Sequence, residues 1–265
     1  MKLIAGLSNS WGRILAIALN SFHEIAREQV FYLSLLYTAI LVAALVGVPQ
    51  FTSVAADKII LDLGMAGIEL VALITAVFVA ASLINREIEK RTIMVLVAKP
   101  ITRAEFVLGK HIGISLVIAL LVIIMTVIFF LLVQLRRIEM PYNVVATASL
   151  FIFLEIMLVS AIAILFGSFT SSIIASLLTL VSYLAGNISP DLLKLGEISQ
   201  NESVQTVTRF LYLVLPDLSR ANLKNEAVYS ILPPVDVLVG NGIYIISYTL
   251  LVLASTIFIF ARRQL

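Results

Sequence analysis

Residues 85–111 read NREIEKRTIMVLVAKPITRAEFVLGKH, the longest strongly charged run between two apolar segments. It holds six basic residues: Arg86, Lys90, Arg91, Lys99, Arg103 and Lys110. Around it the chain is 61% hydrophobic and only 13% charged, with mean hydropathy +1.09. A soluble domain carries about 25% charged residues. The chain therefore reads as an all-α integral membrane protein, and this run is where it meets water.

Local signals organise the run. Helix formers continue from Arg86 to Ala98 with no breaker before Pro100. Thr102, with Glu105 three residues on, is a capping box that opens a new helix entering the next apolar segment. The reading is a short helix, a proline-marked turn and a helix start. Positive-inside topology alone would place Lys and Arg here. It would not require the interspersed acids Glu87, Glu89 and Glu105, nor the apolar stretch Ile93 to Val97. That mixture suits a surface on which another protein docks.

Working outward, six segments approach the roughly 20 apolar residues needed to cross the bilayer. They are Val30–Val48, Met65–Ile84, Ile112–Val133, Val144–Phe166, Ser172–Ile188 and Val237–Ala261. The fifth is short, and the turn GSFTSS before it would also permit a re-entrant hairpin; two separate spans are the preferred reading. Six spans put both termini on one side. With the termini inside, eleven basic residues lie inside and seven outside, so termini and residues 85–111 are expected in the cytoplasm. No cleaved signal is expected, because Met1 to Asn9 lacks a long apolar run.

Residues 11–28 place Trp11, Ile14, Leu15, Ala18, Phe22, Ile25 and Ala26 on one helical face. This predicts an amphipathic helix in the inner interface with Trp11 as anchor. Between the fifth and sixth spans, residues 189–236 are expected to form one or two short helices on the outer surface. Ser189-Pro190 marks the start of the first, and Pro216 ends a second whose apolar face holds Val204, Val207, Phe210, Leu211 and Val214.

The chemistry is sparse. The chain has no Cys, and only His23 and His111, so no metal site is expected. Gly109-Lys110 lacks the rest of a phosphate loop, and no hydrolase motif appears. Two acids fall inside spans, Glu69 and Glu155, where charge is expensive and marks function by default. Glu69 is near enough to its span end to reach the outer interface. Glu155, mid-span, either packs by hydrogen bonding to Ser160, Ser176, Thr179 or Ser182, or lines a pathway. No basic residue lies in any span, so a buried ion pair is not expected.

The run at 85–111 resembles the cytoplasmic loop of ABC-type-2 exporter permeases, through Glu87, Glu89, Thr92, Leu96, Pro100, Arg103, Gly109 and Lys110. The N-terminal NSFHEIAREQVFYLSLLYTAIL is similar to that family's interfacial connecting helix. The closest likeness is to stand-alone six-span bacterial permeases, including the copper-enzyme maturation type. The resemblance implies a single permease domain over residues 1–265 in a bacterial or archaeal inner membrane. It implies a homodimer with two separate ABC ATPase subunits, which bind the ATP and Mg; this chain holds no cofactor. Residues 85–111 would form the coupling helix, and the outer helices a cap or gate. The competing readings are an intramembrane enzyme using Glu155, which lacks a partner group, and an ion-driven transporter through Glu69 and Glu155, which lacks broken spans.

Overall fold

The computed structural model describes residues 2–52, 55–89, 102–199, 201–229 and 231–262. Among them every regular element is helical. Five helices are long and apolar enough to cross a membrane, and a sixth span exists if one bent pair is counted as one.

The first is α1, Lys2–Phe51. The amphipathic segment expected over 11–28 and the first span are a single uninterrupted helix. Its 50 residues reach about 75 Å, far beyond the roughly 30 Å of hydrocarbon. His23, Glu24 and Arg27 interrupt the hydropathy but not the helix, because each is tolerated in a helix interior. Trp11 is exposed.

The second span is built from α2 (Ala56–Thr75), a π turn (Ala76–Ala80) and α3 (Ala81–Glu89), in unbroken succession. It is the most enclosed span, with 78% of its apolar window buried. Helix α4, Arg103–Leu135, starts at the predicted capping box and runs 33 residues without interruption. At about 50 Å it projects beyond the bilayer. Helix α5, Tyr142–Gly167, returns through the centre, and a turn at 168–171 leads into α6, Ser172–Asn187.

Helix α6 has 16 residues, about 24 Å, too short to cross alone. It bends by 56° into α7, Ser189–Ile198. Then follow α8 (Glu202–Val214), a 3₁₀ turn (Leu218–Ala221) and α9 (Lys224–Tyr229). The last span is α10, Val235–Arg262. Residues 189–236 therefore hold more helix than expected, in two halves of different character. Helix α8 buries no residue. Residues 216–227, by contrast, plug the bundle: Leu218 and Ala221 are fully buried, and Leu223 and Ala227 nearly so.

Close helix contacts are made at glycines. A Cβ on Gly109 would meet Ile17, and one on Gly113 would lie 2.8 Å from the Ala18 carbonyl oxygen and 2.8 Å from Ser21 Cβ. Farther along, the Arg136 guanidinium donates to the Leu45 carbonyl. The contacts ascend both helices in the same direction, so α1 and α4 run side by side and parallel. Large apolar residues face outward on α1, α6 and α10, among them Leu36, Ile40, Ile173, Leu177, Val181 and Leu250. In a membrane that surface faces lipid or another chain.

Candidate functional site: the junction at the head of α4 and a buried charged cluster

The N-terminal end of α4 is a junction of three helices. Thr102 Oγ1 accepts from the Glu105 backbone N–H (3.2 Å), and Glu105 Oε2 accepts from the Thr102 N–H (2.9 Å), completing the capping box. The same carboxylate takes a fork from Arg13 of α1: Nε donates to Oε2 (3.1 Å) and Nη2 to Oε1 (2.5 Å). A two-pronged guanidinium–carboxylate pair fixes orientation as well as distance. Arg13 also donates to Ser10 (3.0 Å). On the other side, the Arg103 guanidinium donates to the Phe260 carbonyl of α10 and sits 5.6 Å from that ring's centroid. Phe106 stacks on Phe260, centroids 6.0 Å apart. The first turn of α4 is thus bound to α1 and α10 together.

Of the residues that carried the docking assignment, Thr92, Leu96 and Pro100 lie outside the described residues, as do the side chains of Glu87 and Glu89. The described members, Arg103, Gly109 and Lys110, are turned into the bundle. Gly109 packs on α1, and Lys110 is buried with its ammonium 5.7 Å from the Phe106 ring centroid. They brace the start of α4 instead of offering it to water. Arg13 was missed as their partner: nothing local to Arg13 points to Glu105, although a capping-box Glu has a free oxygen to offer.

The second constellation lies in the middle of the bundle, and three sequence expectations are corrected there. Glu69 does not reach the outer interface: it is 4% exposed. An ion pair inside the bundle does exist, because half-buried Lys224, carried by the plug on α9, places its ammonium on buried Glu69 Oε2. Tyr183 of α6 donates to Glu69 Oε1 (2.5 Å). Glu155 of α5 is 1% exposed, and its partner is none of the serines or threonines named for it. Asn187, one turn after Tyr183 on α6, donates to Glu155 Oε1 (3.2 Å). Ser160, Ser176 and Thr179 instead donate to backbone carbonyls on their own helices, three or four residues back, and Ser176 also to Val77 of the π turn. A hydroxyl that can satisfy itself on the preceding turn needs no distant acceptor.

The plug of residues 216–227 is held by directed bonds. Tyr244 Oη accepts from the Asp217 N–H (2.9 Å), and Tyr248 Oη donates to the Val214 carbonyl (2.5 Å). Asn241 donates to the Arg220 carbonyl (3.1 Å), while Arg220 pairs with Asp217 (3.0 Å) and lies over the Tyr244 ring. Lys58 of α2 stacks on Tyr229. Pro216 closes on Gly186, where a Cβ would lie 2.8 Å from the proline carbonyl oxygen. Among the described residues no cluster of His, Cys, Asp and Glu has the makings of a metal site.

A bundle of five to six apolar spans, with a charged cluster buried among them, defines a multi-pass helical membrane protein. The model of the ABC-2 family transporter proteins matches residues 15–265, and the chain belongs to that family. It is thus the membrane-spanning permease component of an ABC transporter, a transport subunit and not an enzyme, of a family that works with an ABC ATPase. No curated protein matches it.

Proposed function

We propose that this permease is the membrane half of an ATP-driven exporter, working as a homodimer with two separate ATPase subunits in a bacterial or archaeal inner membrane. Both termini and residues 85–111 lie on the cytoplasmic side, and the ATPases bind the ATP and Mg. Residues 85–101 form the docking surface, with Glu87 and Glu89 as polar contacts.

The observation that carries the reading is the junction at the head of α4. A displacement delivered at Thr102 acts on a 33-residue helix with a locked first turn. It is shared at once with α1 through Arg13–Glu105 and with α10 through Arg103–Phe260. Three spans then move from one point of contact, as transport powered by an external motor requires. The test is reconstitution with candidate ABC ATPases from the same genome. ATP hydrolysis should depend on the permease and fall when Arg13 and Glu105 are both replaced by Ala, with the complex intact. ATPase that neither binds the permease nor changes its rate with it would refute the reading.

A further inference from the structure

Two contacts set the depth of the hairpin formed by α7 and α8. Asn187, the last residue of α6, meets Glu155, the fourteenth of the 26 residues of α5. Val214, the last residue of α8, meets Tyr248, the fourteenth of the 28 residues of α10. The hairpin therefore leaves the middle depth of the spans and returns to it. From Val214 the chain climbs, because Asp217 meets Tyr244 and Arg220 meets Asn241, each nearer the start of α10. Helix α7 has 10 residues, about 15 Å, which is half of the roughly 30 Å of hydrocarbon. It also leaves α6 at 56°. The tip at Ser199 and Asn201 thus gets no farther than the headgroups of the leaflet opposite the head of α4.

The bonding of the hairpin suits that depth. At the tip, Asn201 Oδ1 accepts from the Ser203 N–H (2.9 Å), and the Gln205 amide donates to the Ser199 carbonyl (2.7 Å). Thr206 and Thr208 donate to carbonyls of their own helix. In lipid, polar groups have to find such partners within the protein.

The two helices present different sides. Gln205, Thr208 and Arg209 of α8 line a cleft shared with Gly196 and Glu197 of α7, and Gly196 packs on Thr208. The apolar face of α8, with Val204, Val207, Phe210, Leu211 and Val214, is exposed. In water a helix hides its apolar face and shows its polar one; α8 does the reverse, so the medium on that face is apolar. On α7 the exposed side carries Asp191, Lys194 and Glu197. Asp191 and Lys194 pair with each other (3.1 Å) and stay mostly exposed. Charged side chains at membrane depth face water or protein, not lipid.

We propose that α7 and α8 form a re-entrant partition within that leaflet. The apolar face of α8 contacts lipid acyl chains, and the charged side of α7 borders a water-filled space open to the membrane surface. The pair then lies inside the leaflet and not on top of it. This inference is independent of the ATPase assignment.

Single cysteines in the full chain, which has no native Cys, test both sides in lipid nanodiscs. Each side chain replaced is exposed, so the substitutions leave the packing intact. Asp191→Cys and Lys194→Cys should react with a charged, membrane-impermeant thiol reagent, and Val207→Cys and Phe210→Cys should not. A bimane label attached in detergent to Val207→Cys or Phe210→Cys should lose most of its emission when the acyl chains are brominated, while one on Lys194→Cys keeps it. Bromines near the chain ends should quench Val214→Cys most, and bromines near the headgroup Val204→Cys most. Val207→Cys reacting as fast as Lys194→Cys would stand α8 in water and overturn the proposal. So would protection of Val207→Cys and Phe210→Cys without quenching, because a second copy of the chain then covers the face. Quenching at Lys194→Cys, or no such depth order along α8, also overturns it.

Discussion

Replacing Gly113 by Ala tests whether α1 and α4 move as one body. In most helix interiors this exchange stabilises, because Ala is the better helix former by about 1 kcal/mol. At Gly113 the new methyl, fixed to the α4 backbone, would lie 2.8 Å from the Ala18 carbonyl oxygen of the α1 backbone, and neither can turn aside. Forcing an extra carbon into such a contact costs about 1–3 kcal/mol. Gly47, on α1, has nothing within 4 Å of the same position. The identical exchange there carries the helix gain without the clash. The difference between Gly113→Ala and Gly47→Ala isolates the contact and should be about 1–3 kcal/mol, roughly a five- to hundredfold difference in unfolding equilibrium. Reversible unfolding in mixed micelles, followed by circular dichroism, measures it. Gly109→Ala should behave like Gly113→Ala, with the pair less than additive because both press on one interface. If Gly113→Ala were as stabilising as Gly47→Ala, the parallel packing of α1 on α4 would be wrong.

Three further outcomes are expected. Thr102→Ala should lower stability by about 1 kcal/mol through loss of the cap, and Thr102→Ser should restore it; thermal unfolding of the two variants checks this. Reversing Glu87 and Glu89 together to Lys should weaken the ATPase complex in a pull-down without reducing membrane insertion, and unchanged binding would count against docking at residues 85–101. Single cysteines at Ser8 or Lys90 should resist an impermeant reagent in intact cells and react once the membrane is opened; labelling from outside would invert the topology.

What the sequence made legible was local. The capping box at Thr102 and Glu105 needs only a spacing of three residues. The spans follow from apolar runs, and Pro190 and Pro216 bracket α7 and α8. The continuity of α1 was hidden because His23, Glu24 and Arg27 alter hydropathy, from which spans are read, but not helix propensity, which decides whether the backbone breaks. The charged cluster was hidden for a different reason. Its lysine lies in a segment whose polarity reads as outer surface, and its asparagine stands at the end of a span that is short and bent. Each partner has an ordinary local setting; only the fold of residues 216–227 back into the bundle brings Lys224 to Glu69. Arg13 and Glu105 illustrate the same rule at the head of α4, where a capping-box carboxylate meets an arginine that nothing local links to it.

The π turn at Ala76–Ala80 gives the second span a spare residue in its winding, between the helix that carries Glu69 and the one that leads to residues 85–101. Such a turn stores one residue more than an α-helix of the same height. Passing that residue along the helix turns one side against the other by about 100° and changes the length by about 1.5 Å. Ser176 of α6 donates to Val77 within this turn, so the slip would be felt by the short helix that bears Tyr183 and Asn187. A push on the Glu89 end of this span can then arrive at the charged cluster as a twist, without the whole span sliding through the membrane.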